Sequence, residues 1–501
     1  MGLAVVEQTG AVADVAGGAG PANPSFGVKV FYSLGQVAQS GGFDTALGFV
    51  FFYYSAVLGL SGTLVGAALG ISLCFDAVID PLVGSWSDNI RSRLGRRLPL
   101  MLLSAPLMLL SIGLLFAPVA GLSQPLLFAW LTVTCVAVRS FISLFNVPYF
   151  ALGGELAGGY TERSSVVAYR ATAGVVAGVL VTALAFSVFF AGNGGLQRAS
   201  AYPSFGWTIG GLLFVVALAC SFGVRRYAAS LPQPAVSEAA LWRRITGEVG
   251  EIFRNPSFRM LFFSLVVFYV AFGVNATLNS HAAVFVWKLR PATMQILGYA
   301  YLGGILAGIT LSPMLARRFE KKTMVLIGVG MVMIVWTAIP SLRAFGLFTA
   351  TGDATLIPLA LNGVFVGIGA GFCAIAYPSM MADAADEHEL LKGHRREGLY
   401  FAGLGFAGKA ATGLGAIVGG LVLDLIGFPN DAAHHTAAIT EPVLARLMLA
   451  HGPLAAVLAL GSVAIFLPYA ITRARHDQIS TRLRLQRATA FAPPDGVSPG
   501  A

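Results

Sequence analysis

The sequence predicts an all-α integral membrane protein whose twelve transmembrane helices form two six-helix bundles. Three observations carry this reading: a shortage of charge, twelve apolar runs long enough to cross a bilayer, and an alternation of basic and charge-poor connections. Charged residues make up 11% of the chain and hydrophobic residues 56%, whereas a soluble domain carries about 25% charge. So little charge does not coat a water-exposed surface, so most of the surface is expected to face lipid. The 60 glycines fit, because glycine is tolerated in spanning helices and lets them pack closely.

A spanning helix needs about 20 apolar residues. Such runs occupy 28–58, 62–88, 97–119, 124–152, 165–192 and 203–226, then 259–287, 292–316, 322–345, 353–384, 397–427 and 449–472. The implied organisation is a disordered tail over 1–27, a first bundle over 28–226, a linker over 227–258, a second bundle over 259–475 and a tail over 476–501. The segment from Met1 to Phe26 has no Lys or Arg, so it lacks the basic start of a cleavable signal peptide. The linker pattern around Trp242, Arg243, Arg244, Glu248 and Glu251 reads either as an amphipathic surface helix or as a solvated connection.

Of the 32 Lys and Arg residues, Arg198, Lys288, Arg290, Arg343 and Arg446 fall on one side of the predicted membrane, and Arg139, Arg170 and Lys409 fall inside spans. All the others gather on the opposite side, which the positive-inside rule makes cytoplasmic. Both termini are therefore expected in the cytoplasm of an inner (plasma) membrane protein. The net charge of +9 is thus a topology signal, and nucleic acid is not an expected partner. The basic turns 84–97 and 313–322 lie at matching places in the two halves, as parallel repeats would have them, although any inside loop is basic. The four cysteines all sit in apolar runs and read as core residues.

Ionisable groups inside a span cost about 2.5–3.5 kcal/mol each on insertion scales, so each needs a reason. Asp76 and Asp80 in the second span lie at i,i+4, on one helix face. Two such carboxylates repel unless one holds a proton or a cation sits between them, which suits a H⁺ or Na⁺ site. A purely structural cap is the alternative. Lys409, deep in the eleventh span, needs a carboxylate partner, and Asp76 and Asp80 are the candidates. Arg170 is read as gripping a substrate or a helix-end carbonyl, and Arg139 as structural.

Polar residues also stripe several spans. Gln36, Ser40 and Asp44 recur at i,i+4 with Gln39 beside them, Ser143 and Asn146 lie on the fourth span, and Asn275 and Asn279 on the seventh. Facing stripes suggest a solvated central cavity, while any one of them alone could be interhelical glue. Phe150 and Tyr377 are counted with Gln36, Gln39, Ser40, Asp44, Asn146, Arg170, Asn275 and Asn279 as the expected substrate-binding set. Gly403–Gly408 matches G-x-G-x-x-G but has no preceding strand, so it is not read as a dinucleotide site. No catalytic constellation, resident metal site or cofactor is expected.

Phe75-Asp76-x3-Asp80-Pro81-x2-Gly84 followed by Arg91-Ser92-Arg93-x-Gly95-Arg96 resembles the signature of the glycoside–pentoside–hexuronide:cation symporters, the melibiose permease group of the major facilitator superfamily. Asn146-Val147-Pro148-Tyr149, Ala382-Asp383-x2-Asp386-x2-Glu389 and Arg396-Glu397-x11-Lys409 resemble further blocks in the same order, so the likeness runs from about residue 29 to 475. The resemblance implies the major facilitator fold and makes Asp76, Asp80, Ser143, Asn146 and Lys409 the cation-binding set. It places Asp88, Arg91, Arg93, Arg96, Arg97, Asp383, Asp386 and Glu389 in gating loops, and Arg170 where the family contacts sugar. It also marks departures: Gln39 and Ser40 stand in place of a galactoside-binding lysine and acid, Asn146 in place of an aspartate, and Ile79 in place of an amide near the cation.

The expected function is cation-coupled symport, with H⁺ or Na⁺, of a small polar solute such as a sugar or glycoside, by alternating access. A carrier of lysolipids or other amphiphiles and a non-transporting sensor are the competing readings. The expected partners are the solute and the bilayer, with a monomeric chain.

Overall fold

The computed structural model describes residues 24–156, 160–192, 194–230, 250–394, 397–435 and 439–490. Among these, eleven helices are long and apolar enough to cross a membrane. The first predicted span, α1 (residues 26–57), is the exception. It alternates α-helical stretches, Phe26–Gln36 and Thr45–Phe52, with π-helical ones, Val37–Asp44 and Tyr53–Val57. The others are α2 (Gly62–Asn89), α3 (Leu98–Phe116), α4 (Gln124–Glu155), α5 (Tyr160–Leu184), α6 (Ala201–Ser230), α7 (Pro256–Val286), α8 (Pro291–Arg318), α9 (Lys321–Ala344), α10 (Leu356–Lys392), α11 (Glu397–Leu425) and α12 (Glu441–Phe466).

Local chemistry sets the helix starts. Ser25 and Asn255 cap α1 and α7 through their side-chain oxygens, as Ser61 caps α2. Proline occupies the first turn of α3, α4, α7, α8 and α12, where its missing N–H leaves no bond unmade.

Three expectations need correction. The last span begins at Glu441, eight residues before the expected 449, because the polar residues Glu441 and Arg446 mask its first turns in a hydropathy reading. The tail expected from 476 instead opens with a helix, α13 (Arg473–Ala490), held to α10 by Arg475 on Glu387 at 2.8 Å. Within α1, π-helical i→i+5 bonding shifts the register, so the i,i+4 stripe of Gln36, Ser40 and Asp44 does not hold as drawn on an α-helix. The linker helix expected over 227–258 falls mostly on 231–249, and the tail over 1–27 mostly on 1–23; both stretches lie outside the described residues.

Helices α1 to α6 pack on one another, as do α7 to α12, with the closest pairs being α8 on α10, α3 on α6 and α7 on α11. The main seam between the halves is α2 on α11. It is lined with glycine because the backbones nearly touch: a Cβ on Gly66 would sit 2.6 Å from the Ala416 carbonyl oxygen. The seam ends in a cross-half cap. Asp424 of α11 accepts from the N–H groups of Gly62 (2.9 Å) and Thr63 (2.8 Å), satisfying the free donors of α2 with a carboxylate at the positive end of its dipole. Near the same end Ser55 of α1 bonds Nε2 of the fully buried His281 at 3.0 Å.

Past Asp80 and Lys409 the two seam helices turn to their own halves. Val83 packs with Leu100 and Leu144, while Tyr400 packs against Phe258. Among the described residues, ion pairs at that end that are internal to a half include Arg96 and Arg97 with Glu155, Lys29 with Glu162, Lys321 with Asp383, and Arg475 with Glu387. The halves are thus joined along 62–80 of α2 and separate beyond it.

Candidate functional site

The charged cluster sits where the seam gives way. Asp76 is 4% exposed, and its Oδ1 accepts from Ser143 Oγ of α4 at 2.8 Å. Its Oδ2 faces two cations, Lys409 Nζ of α11 at 3.2 Å and Arg139 Nη1 of α4 at 3.9 Å. Asp80, one turn on, takes Lys409 Nζ at 2.5 Å on Oδ2, while its buried Oδ1 has no hydrogen-bond partner. Pro81 follows directly, so the helix carbonyl one turn back has no N–H to receive at that point. Lys409 therefore joins the halves by ion pairs at this depth, reaching from α11 to both carboxylates of α2.

Arg139 is the residue that sequence reasoning set aside. Its Nε donates to Ser72 Oγ at 2.9 Å and its guanidinium lies 5.8 Å from the Phe43 ring. Asp44, at the end of the π-helical stretch of α1, shares the field of Arg139 and Lys409. The cluster thus holds three acids, Asp44, Asp76 and Asp80, against two fixed cations, Arg139 and Lys409. It is one positive charge short of neutral. Asp76 is buried, but Asp44 is exposed and Lys409 half-exposed, so the excess is partly solvated, and a monovalent cation entering there would neutralise it.

One face of α4 organises what lies alongside. Residues 139, 143, 146 and 150 recur at helical spacing over about 16 Å. Arg139 and Ser143 meet Asp76; Asn146 Nδ2 donates to Gln39 Oε1 at 2.5 Å and leaves its own buried Oδ1 without a partner. Phe150 carries the Arg170 guanidinium 5.0 Å from its ring centre. Arg170 also lies beside Tyr32, whose hydroxyl donates to the Tyr149 carbonyl at 3.2 Å. Gln36 is half-buried on α1, and the Ser40 side chain lies outside the described residues.

The second half contributes less than expected. Tyr377 is 2% exposed, its hydroxyl 3.0 Å from Ser264 Oγ within the core between α7 and α10, so it is not brought to the cluster. Asn275 donates to the His451 carbonyl at 2.7 Å and ties α7 to α12. Asn279, one turn along α7, is exposed.

The expected gating residues divide between the halves. Arg97 pairs with Asp88 at 2.6 Å and with Glu155 at 2.9 Å, and Arg96 with Glu155 at 2.7 Å, while Arg91 and Arg93 are exposed. Asp383 holds Lys321 at 2.7 Å, and His476 of α13 lies 3.4 Å from Asp383 and 3.3 Å from Asp386. Glu389 is half-buried near the end of α10. Neither Glu155 nor the α13 residues stood out in the sequence, because an acid at a helix end and a basic tail are both ordinary near a membrane surface.

Residues 31–473 match the MFS/sugar transport protein family. The chain belongs to that family. Among relatives of this MFS sugar-transport protein, the isoprimeverose transporter of Lactiplantibacillus pentosus is 24% identical over 81% of this chain and 82% of its own length. The glucuronide carrier protein homolog of Escherichia coli (strain K12) is 26% identical over 80% and 83%. In fold, it is similar to the crystal structure of a bacterial homologue of the human lysosomal transporter Spinster, inward-facing and unoccupied, with a TM-score of 0.59, 14% identity and 95% and 98% of the two chains covered. The nucleoside transporter NupG gives a TM-score of 0.55 at 16% identity over 88% and 98%. Membership of this family makes the chain a multi-pass membrane transporter of the major facilitator fold, and its relatives include an Escherichia coli (strain K12) protein named as a putative glycoside/cation symporter, 24% identical over 92% of this chain and 95% of its own length.

Proposed function

We propose that the cluster of Asp44, Asp76, Asp80, Arg139 and Lys409 is the coupling-ion site, that the ion is a proton, and that Asp80 receives it. The observation that carries this reading is the buried carboxylate oxygen Asp80 Oδ1, which has no hydrogen-bond partner among the described residues. The oxygens of Asp76 already face Ser143, Arg139 and Lys409. A sodium ion needs several oxygen ligands converging on one point, whereas a proton needs one.

Protonation of Asp80 weakens its pull on Lys409, the ammonium that joins the halves at this depth. Proton binding therefore bears directly on whether α2 and α11 stay together, which is what coupling by alternating access requires. The solute would lie between the halves alongside the α4 face, where Asn146, Gln39, Phe150 and Arg170 offer amides, an aromatic surface and a guanidinium. That set suits a ring hydroxyl pair or a carboxylate. We take the basic connections as cytoplasmic, which places both termini inside and the diverging end of the halves toward the cytoplasm. The two bundles, 28–226 and 259–475, would be the rocking units.

The test is a thermal-shift screen of purified protein with sugars, glycosides and uronates, run with and without Na⁺ and across pH. A stabilising solute whose effect depends on pH, and not on Na⁺, supports the proposal. Dependence on Na⁺ at constant pH would overturn the assignment of the ion while leaving the site.

A further inference from the structure

At the end where the halves diverge, three side chains converge that play no part in transport as described above: Glu251, His388 and His394. One ligand atom from each lies within 4.8 Å of the others. From them we infer that this corner is a binding site for a divalent transition metal ion of the zinc class.

The backbone builds the corner. His388 lies near the end of α10, which stops at Gly393 in the left-handed conformation (φ 78°). That turn, open to glycine at little steric cost, folds His394 back toward the helix it has just left. Glu251 comes from the helical turn ahead of Asn255, whose side chain caps α7 and fixes where that turn ends. Tyr400, fully buried, sets its ring 5.7 Å from that of His388 and closes the back of the site.

The hydrogen bond on the far side of His394 is the deciding feature. Its Nδ1 lies 3.1 Å from the Lys392 carbonyl oxygen, which can only accept, so the ring hydrogen is on Nδ1. Nε2 then faces Glu251 Oε1, 3.0 Å away, where it either donates as an imidazolium or offers a lone pair to a metal ion. His388 brings its Nε2 to within 3.6 Å of the same carboxylate oxygen. A proton bridges one such pair. A metal ion takes all three ligands at once.

The spacing suits a tetrahedral ion. Bonds of about 2.0–2.1 Å from imidazole nitrogen and carboxylate oxygen set neighbouring ligands about 3.3 Å apart, and the two separations from Glu251 bracket that value. A backbone carbonyl holding the non-ligating nitrogen is the usual outer support of a metal-binding histidine. Imidazole and carboxylate together suit zinc, cobalt(II) or nickel(II) better than magnesium or calcium. The buried His388 and the half-exposed His394 leave one side open for a water or a further ligand. Such an ion would anchor the chain just before α7 to the end of α10, tying down the last part of the connection between the halves.

The experiment uses full-length protein in detergent, purified without a histidine tag and stripped with chelator. Titration with Co²⁺ is expected to give the visible absorption of a tetrahedral centre at one equivalent, displaced by Zn²⁺. His394→Ala should weaken binding by at least about tenfold, since losing even an outer-shell partner of a metal costs that much. Glu251→Gln should weaken it as well. His434→Ala and His435→Ala, at the opposite end of the molecule beside Asp431, should leave it unchanged. Because His394 lies in an exposed turn, its variant should elute as the parent does on size exclusion. The inference is overturned if no tetrahedral spectrum develops, or if His394→Ala binds as tightly as the parent. Titration of His394 by protons alone, with no metal retained, would overturn it equally.

Discussion

Arg97 at the start of α3 lies 2.9 Å from Glu155 at the end of α4, and the same relationship recurs in the second half. There Lys321 at the start of α9 lies 2.7 Å from Asp383, two to three turns before the end of α10. Helices α3 and α4 stand to the first half as α9 and α10 do to the second. A basic residue that opens one helix therefore grips an acid in the last third of the next, twice in one chain. The halves carry the same latch.

Truncating the buried partner tests that latch. Arg97→Ala leaves Glu155 with Arg96 alone and removes the Arg97 contacts to Asp88 and Ser87. Charge-assisted hydrogen bonds contribute about 1.5–3 kcal/mol each in net terms, so a clear fall in melting temperature is expected. Lys321→Ala, whose amine is more exposed, should cost less. Equal losses in the two variants, read by thermal melting in detergent, would count against burial as the deciding factor.

The Lys409 bridge gives the second expectation. Replacing it with alanine leaves Asp76 and Asp80 repelling each other with only Arg139 nearby, and removes the ion pairs between α2 and α11. Concentrative uptake should be lost while the chain still inserts. Asp80→Asn should also lose accumulation, because the amide keeps the shape but cannot exchange a proton. Uptake into proteoliposomes under an imposed gradient reads both; full accumulation in either variant removes these residues from the coupling path.

Closure of the seam depends on glycine. Adding a side chain at Gly66 puts its first carbon 2.6 Å from the Ala416 carbonyl oxygen, and that backbone has nowhere to go while α2 and α11 stay in register. Overpacking of this kind costs about 1–3 kcal/mol, and each 1.4 kcal/mol is a tenfold change in population. Gly66→Leu should therefore favour the arrangement in which this end opens. Cysteine labelling at Thr63 or Leu423 reads the change as faster modification, and an unchanged rate would show that the seam yields elsewhere.

Much of this was legible in the sequence, for reasons that can be located. Helices α2 to α4 and α7 to α11 begin or end within a few residues of the apolar runs, because lipid allows no other way to satisfy the backbone. Charges inside spans were equally conspicuous, and Asp76, Asp80 and Lys409 are indeed brought together. What the sequence did not carry is direction around a helix axis when the period is uncertain. The π-helical register of α1 brings Gln39 to Asn146. Arg139 and Tyr377 were both isolated residues in apolar runs, and nothing in their neighbours indicated that one faces the cluster and the other the core. Glu441 and Arg446 hid the start of α12 because hydropathy averages over residues that face water at a helix end.

Tyr377 offers a check on that distinction. Its hydroxyl bonds only Ser264 among the contacts described and is buried with it, so Tyr377→Phe should cost about 1 kcal/mol in stability and leave solute affinity as it was. Solute-induced stabilisation measured side by side in parent and variant decides it. A lost or weakened solute response would place Tyr377 at the binding surface after all.

Arg139 is the sharpest test of the charge balance. With it present, three acids face two cations, and one added positive charge makes the cluster neutral. Arg139→Gln removes a fixed cation, keeps an amide within reach of Ser72, and leaves the acids short by two charges. Removing one partner of a buried pair costs about 3–5 kcal/mol, at the lower end here because Asp76 keeps Ser143 and Lys409. The variant should regain part of that loss by binding a metal cation where the guanidinium had been. Na⁺ or Li⁺ should then raise its melting temperature while leaving the parent's unmoved. If the variant melts like the parent and ignores Na⁺, Arg139 does not balance the charge of Asp76, and the accounting that singles out one proton fails with it.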